Sequence, residues 1–270
     1  MNLNKMFLGY QNTKILWEND AIQGMGQFMP TNTCQPFIVQ EQKSLRLGKW
    51  VEKFVLFQLQ QMPNCQIIAD SLQIVDDQKT LGELDVLLIH QNIPIHLEIV
   101  YKFYLFDIKS KGKDLMSNWV GPNRRDNLNY KLEKLKHKQL PLLYHTKTEQ
   151  ILENYKFDIN SVKQHVLFKA QLFLPYGRHE RQDIEPLNTS CISGYYLDFA
   201  RFDLLQNALF CIPQKLEWLI EPNNNVQWLD FEMAKELISK SILSERSPMI
   251  WVKNKMGELK KCFITWWSPN

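Results

Sequence analysis

The chain has 270 residues, of which 44% are hydrophobic and 23% charged, and its formal net charge is +3. This composition is typical of a folded globular protein and excludes a disordered or collagen-like chain. Apolar runs stay well short of the roughly 18 residues that a membrane span needs, and the amino terminus lacks the apolar segment of a secretion signal. The five cysteines form no CxxC pair, which argues against structural zinc. We therefore expect a cytoplasmic protein without a membrane partner.

The first 42 residues predict a cap that packs against the main body. A weak helical pattern covers Asn12–Ala21, and glycines and prolines mark a loop from Gly24 to Pro36.

The strongest helical pattern in the sequence covers Lys43–Gln61. Glu52 falls on its apolar stripe, which the pattern assigns to Leu45, Gly48, Val55 and Leu59. A carboxylate on a buried helix face needs a partner. Two interpretations stay open for Glu52, namely an acidic site on the sheet beneath the helix and an ion pair with Lys49 or Lys53.

Three strands are predicted after this helix, at Gln66–Val75, Glu83–His90 and Ile95–Phe103. The last two are joined by Gln91–Pro94, which indicates a tight hairpin connection. Val, Ile and Leu dominate both, as in strands that are buried on both faces.

Charged side chains interrupt this apolar hairpin. Because side chains alternate along a strand, Glu83 and Asp85 share one face of the first strand, and Glu98 and Lys102 share one face of the second. If these faces coincide, the carboxylates converge in the sheet, where burial is costly unless they are paired or bind a metal. The alternatives are an ion pair of Asp85 and Glu98 with Lys102 and a solvated Glu83. His96, on the Glu98 face, is expected to be a hydrogen-bonded core histidine.

A second helix is predicted over Arg124–Gln139, starting near Gly121-Pro122-Asn123. Leu128, Leu132, Leu135 and Gln139 share one face of it, and Lys131, Lys134 and Lys138 lie on another. A short helix near Thr148–Tyr155 and a strand at His165–Leu174 follow. The last hundred residues predict a helix at Asp230–Leu243. They also predict four strands, at Tyr195–Phe199, Leu209–Ile212, Met249–Lys253 and Cys262–Trp267.

This order of elements predicts an α/β fold with a mixed sheet and helices on both sides. We divide the chain into a cap (1–42), a core (43–174) and a carboxy-terminal α+β extension (175–270) that packs on the core.

The segments GELDVLL, HLEIVYKFYL, WVGPNRRDNLNYKLEKL, KQLPL, LFLPYG and SGYYLDF resemble a bacterial family, domain of unknown function 1853, over most of the chain. Through it, the chain resembles the PD-(D/E)XK nuclease superfamily. The resemblance implies a restriction-endonuclease-like αβββαβ core and a nuclease-type site at Glu52, Asp85, Glu98 and Lys102.

The nuclease site implied by this resemblance uses Mg²⁺ or Mn²⁺. Asp85 and Glu98 would be the metal ligands, Glu52 a further or water-mediated ligand, and Lys102 the residue that orients water. The superfamily's lysine stands two residues after the second acid, where this chain has Val100. Lys102 is four residues on, about 13 Å along an extended strand. It could therefore contact phosphate instead.

Residues 102–147 hold eleven Lys or Arg and four Asp or Glu, a local excess of +7. Such an excess beside an acidic site predicts nucleic-acid binding through phosphate contacts, although a lysine-rich helix face is as often simply solvated. The candidate contacts are Arg124, Arg125, Lys131, Lys134, Lys138 and Gln139, with the two arginines near a helix amino terminus.

The alternative functional hypothesis is a catalytically inactive protein with the nuclease fold that binds nucleic acid or serves as a scaffold, for which Val100 is the main support. A metal-dependent hydrolase of a small phosphorylated substrate makes less use of the basic residues. A protein partner or a homo-oligomer is compatible with all of these.

Overall fold

The computed structural model describes residues 2–38, 45–107, 115–155, 158–177 and 184–268. Its helices are α1 (Leu3–Asn12), α2 (Leu47–Gln61), α3 (Leu128–Lys134), α4 (Thr146–Glu153) and α5 (Phe231–Leu243). Its strands are β1 (Cys65–Asp76), β2 (Lys79–His90), β3 (Ile93–Phe106), β4 (Trp119–Val120), β5 (Lys163–Pro175), β6 (Ile192–Asp198), β7 (Leu209–Cys211), β8 (Met249–Lys253) and β9 (Leu259–Thr265). Within these ranges, no helix is both long and apolar enough to cross a membrane.

The strands form one mixed sheet in the order β1-β2-β3-β5-β6-β9-β8-β7, with β4 paired to the end of β3. The strands β1, β2 and β3 are antiparallel, β3, β5, β6 and β9 run parallel, and β8 and β7 are again antiparallel. The predicted mixed α/β fold is confirmed. The sheet continues from β5 into β6, so it crosses the division predicted at residue 174 without a break.

The predicted β2–β3 hairpin is present, but its connection is shorter than the sequence suggested. Gln91 and Asn92 have φ values of 50° and 63°, and His90 pairs directly with Ile93. Two consecutive residues with positive φ are the mark of a type I′ turn, whose twist matches that of the strands. Ile93 and Pro94 therefore belong to β3.

The predicted helix at Asn12–Ala21 is wrong. The helix precedes it as α1, where the Asn2 side chain accepts a hydrogen bond from Lys5 N at 3.0 Å. The chain then runs beside β5, with Leu16 N donating to Phe168 O at 2.8 Å and Phe28 N donating to Val166 O at 2.9 Å. The amino-terminal segment thus covers part of one edge of β5.

The buried face of α2 matches the predicted one at Val55 and Leu59 but is centred differently. Its buried residues are Leu47, Trp50, Val51, Phe54, Val55, Gln58 and Leu59. Gly48, which the sequence placed on the stripe, is exposed, and Glu52 lies at the stripe's edge with 21% of its side chain exposed. The predicted start at Lys43 lies outside the described residues.

The helix α3 begins four residues later than predicted. Asn127 caps it by accepting a hydrogen bond from Tyr130 N at 2.8 Å, whereas Arg124, with a φ of 56°, lies in a preceding turn. A π-helical turn (Leu135–Gln139) and a 3₁₀ helix (Leu140–Tyr144) continue α3. Leu128, Leu132 and Leu135 are all buried, as the leucine spacing predicted.

The two faces of β3 contribute to different cores. Leu97, Tyr101 and Phe103 pack with α1 and α2, in a core that also includes residues as late as Trp267. Val100 and Tyr104 pack with α3 on the opposite face. Glu98 alternates with Leu97, so its side chain lies on the α3 side of the sheet.

A pair of glycine substitutions tests how tightly α1 is joined to the carboxy-terminal part. A Cβ atom on Gly9 would lie 1.9 Å from the Leu219 carbonyl oxygen, whereas one on Gly48 of α2 would meet nothing within 4 Å. We expect Gly9→Ala to lower the free energy of unfolding by about 2 kcal/mol or more, because backbone must move. Gly48→Ala, the matched control, should raise it by up to about 1 kcal/mol. Urea unfolding of both variants measures this; equal effects would contradict the contact.

A candidate acidic site where β2 and β3 separate

The strands β2 and β3 separate after the pair Val86 and Leu97, and we call this point the fork. Beyond it, the Ile99 backbone N donates a hydrogen bond of 2.7 Å to Asp85 Oδ2. The Asp85 carboxyl group therefore accepts the hydrogen bond that the backbone of an adjacent strand would otherwise accept from Ile99 N. The register pairs Leu87 with His96, so alternation assigns Asp85 and Glu98 to one face, as predicted.

Glu98 is fully buried, and hydrogen bonds reach both of its oxygens. His96 Nε2 lies 3.0 Å from Oε1, and Gln139 Nε2 donates to Oε2 at 2.5 Å. The Gln164 amide lies 3.0 Å from His96 Nδ1. Because an amide nitrogen can only donate, the imidazole proton lies on Nε2 and is donated to Glu98. His96 is thus the hydrogen-bonded core histidine that was expected.

Asp85 is a carboxyl group whose environment favours its neutral form. Burial, followed by the negative charge of Glu98, raises the pKa of Asp85 from 3.8 to about 8, although the hydrogen bond from Ile99 N opposes this. Glu52 raises the Asp85 pKa further, and Lys131 lowers it. Burial and the charge of Glu98 together therefore make ionisation of Asp85 unfavourable at neutral pH.

Lys131 of α3 is closer to these acids than the sequence implied. Its Nζ donates to Gln139 Oε1 at 2.7 Å, and Gln139 in turn donates to Glu98. Burial lowers the pKa of Lys131 to about 8, and the charges of Glu98 and Asp85 oppose that shift. The sequence placed Lys131 and Gln139 on different helix faces, but the helix widens after Lys134 and brings them together.

Lys102 has another partner. Its Nζ donates to Asp126 Oδ2 at 2.6 Å, and 36% of its side chain is exposed. The ion pair of Lys102 with Asp85 and Glu98, one of the interpretations left open by the sequence, is therefore replaced by a pair with Asp126. Val100, at the position between Glu98 and Lys102, is buried in the α3-side core.

Glu52 and Glu83 share Lys49 of α2 as an ion-pair partner. Lys49 Nζ lies 2.6 Å from Glu52 and 2.7 Å from Glu83. The alternative interpretation of Glu52, an ion pair with Lys49, is confirmed. Burial raises the pKa of the Glu52 carboxyl, and Lys49 opposes that shift. Glu52 affects Asp85 through its charge, while α2 packs on the face opposite to Glu98.

The six candidate nucleic-acid contacts divide into two groups. Arg124 pairs with the buried Asp107 and lies 4.4 Å from the Trp267 ring centroid, while Lys131 and Gln139 face Glu98. Arg125, Lys134 and Lys138 are exposed. Since α3 starts at Leu128, neither arginine lies in its first turn, which removes the predicted helix-terminus contribution to phosphate binding.

Asp85 and Glu98 supply the carboxylate oxygens at the fork, which is the ligand type that a divalent Mg²⁺ ion prefers. Among the described residues, including those at the fork, no group of three or more His, Cys, Asp or Glu side chains is arranged to hold a metal. Mg²⁺ needs few protein ligands because it keeps several waters. A cation near Asp85 would offset both the burial and the charge of Glu98 that raise the Asp85 pKa.

Two supporting residues were missed by the sequence-based predictions. Gln164 fixes the His96 tautomer, and Asp126 holds Lys102. Gln164 could have been found from the parallel β3–β5 register, which pairs it with His96. The Asp126 contact depends on the turn before α3, for which the sequence carries no comparable signal.

A family model described as Domain of unknown function (DUF1853) matches residues 27–263. No curated protein and no solved structure matches the chain.

The raised pKa of Asp85 predicts a pH-dependent stability. The unfolded chain releases this proton near pH 4 and the folded protein near pH 8, so the contribution of Asp85 to stability falls as pH rises between these values. In Asp85→Asn the side chain stays neutral and can still accept from Ile99 N. We expect the free energy of unfolding of Asp85→Asn, relative to the native protein, to increase by at least about 1.4 kcal/mol from pH 5 to pH 8.

Urea unfolding in a metal-chelating buffer at both pH values measures this difference. Glu236→Gln is the control, because Glu236 is exposed on α5. A difference between Asp85→Asn and the native protein that is the same at pH 5 and pH 8 would contradict the raised pKa of Asp85.

Proposed function

The chain belongs to the family described as Domain of unknown function (DUF1853), and we propose from the residues at the fork that it is a Mg²⁺- or Mn²⁺-dependent nuclease. The observation that supports this most is the interaction of the buried Glu98 carboxyl group with the partly buried Asp85 carboxyl group. A site where burial and the charge of Glu98 both disfavour a negative Asp85 is suited to a divalent cation.

The chemistry of phosphodiester hydrolysis assigns roles to the residues at the fork. A bound metal ion would stabilise charge on the phosphate and make a bound water more acidic. Asp85 and Glu98 would hold this ion, and Glu52 would contribute at a distance through water. His96 and Gln139 orient the Glu98 carboxylate through its two oxygens. Lys102, which is partly exposed, would contact a phosphate that flanks the bond to be cleaved.

Nucleic acid is the substrate class that the surrounding charge favours. The positive charges of Lys102 and Lys134 both lower the pKa of Lys131, so the three lysines lie close together beside the acids. Clustered lysines attract the phosphate backbone and release its counterions. A metal site beside such a cluster would place a phosphodiester bond near the catalytic ion. A restriction-endonuclease-like core, with this site at its centre, belongs to the same proposal.

A catalytically inactive protein that binds nucleic acid or acts as a scaffold is the second candidate. Glu98 has no exposed surface, and hydrogen bonds occupy both of its oxygens. Val100 is buried in the core at the position where the resemblance implies a lysine. These features favour a fold that retains the acids for structural reasons.

A cleavage assay separates the two candidates. Single-stranded, double-stranded and structured DNA and RNA are incubated with the purified protein and Mg²⁺ or Mn²⁺. We expect cleavage that a chelator abolishes and that falls at least about 100-fold in Asp85→Asn and in Glu98→Gln, because each removes a charged ligand.

Glu236→Gln, which removes an exposed carboxylate on α5, should cleave at the native rate. If the native protein binds nucleic acid but leaves every substrate intact with either metal, the scaffold hypothesis replaces the nuclease.

The exposed lysines after the fork predict a salt-dependent affinity. Replacing Lys134 and Lys138 together by alanine should weaken oligonucleotide binding about tenfold and reduce the slope of log affinity against log salt by about 2. The matched control replaces Lys235 and Lys240 on α5, which pair with Asp203 and Glu236. Fluorescence anisotropy at several salt concentrations measures both. Equal losses in the two double variants would contradict a binding surface beside α3.

A further inference from the structure

Lys131 is held at the acidic site by contacts that a solvated lysine would lack. Its Nζ donates a hydrogen bond to the amide oxygen of Gln139, and the amide nitrogen of Gln139 donates to the Glu98 carboxylate. Its charge interacts with both Glu98 and Asp85. The lysine therefore faces the two carboxylates from the helix side.

The alternative cation on β3 is held by another group. Lys102 points to Asp126, at 2.6 Å, and is half-exposed. Val100, closer to Glu98 along the strand, carries no charge and is 4% exposed in the core. Lys131, unlike Lys102, is thus connected to Glu98 through a hydrogen-bonded side chain.

We propose that Lys131 of α3 is the lysine that contacts the substrate phosphate at the Asp85–Glu98 site and stabilises its negative charge during cleavage. This role rests on the proposed nuclease function. During hydrolysis the water oxygen forms a bond to phosphorus and the ester P–O bond breaks, while the water proton passes to the leaving oxygen through solvent. Lys131 neither gains nor loses a proton. It donates a hydrogen bond to a non-bridging phosphate oxygen.

The partial burial of Lys131 makes its charge more effective than that of a solvated lysine. Electrostatic stabilisation is strongest where the donor is fixed in advance and water is largely excluded. Here the Asn127 cap and the π-helical turn fix the helix on either side of Lys131, and Gln139 fixes its ammonium group. A phosphate oxygen would replace Gln139 as the acceptor.

The test compares Lys131→Met and Lys131→Arg with Lys136→Met, which removes an exposed positive charge from the adjoining π-helical turn. We expect Lys131→Met to lower the single-turnover cleavage rate at saturating substrate about 100-fold. The Kd for the oligonucleotide should change by no more than about threefold, because one contact among several is lost. Lys131→Arg should keep the cleavage rate within about tenfold of the native rate. Lys136→Met should cleave at the native rate.

A second readout uses Mn²⁺ alone, titrated calorimetrically in the absence of nucleic acid. Removing a positive charge that faces the carboxylates should tighten Mn²⁺ binding several-fold in Lys131→Met but not in Lys136→Met. Thermal unfolding confirms that each variant is folded, and Lys131→Gln is used in both measurements if the methionine variant is not.

The outcomes distinguish this inference from the proposed function. If the native protein cleaves nucleic acid and Lys131→Met cleaves as fast as Lys136→Met, the role of Lys131 is overturned and the nuclease function stands. Unchanged Mn²⁺ affinity in Lys131→Met would also overturn it, since the lysine would then not face the carboxylates. If the native protein cleaves nothing, the nuclease function fails and the role of Lys131 fails with it.

Discussion

The buried carboxylate of Glu98 is the constraint on which the fork depends. A carboxylate without solvent contact is tolerated only where protein donors replace the lost water. His96 and Gln139 supply these donors, and each is itself held by a second side chain, Gln164 and Lys131 respectively. Two strands and the end of one helix must therefore meet at Glu98. The position of α3 over the sheet follows from this requirement as much as from its leucines.

The sequence predicted the parts of the fold that follow from strict periodicity. Alternation along a strand assigned Glu98 and His96 to one face and Asp85 to the same face of its neighbour, and the observed register agrees. The leucine spacing of α3 likewise predicted its buried face. Both predictions need only the local geometry of a strand or a helix.

Other features depend on contacts between distant segments, and periodicity could not predict them. The π-helical turn that joins Lys131 to Gln139 has no sequence signature of its own. Glu52 had several candidate partners, and it forms an ion pair with Lys49, three residues away on the same helix. Lys102 pairs with Asp126, 24 residues later, through a turn that includes Arg124 in a left-handed conformation.

The strand β5 limits how the molecule can be divided. On one side it pairs with β3 along most of its length, and on the other its edge is shared between the amino-terminal segment near Val166 and β6 near Phe173. A fragment restricted to residues 43–174 would leave the row of backbone donors and acceptors on that edge open. Open edges invite pairing between molecules. The flanking sequences on both sides of the segment that carries the acids therefore complete its sheet.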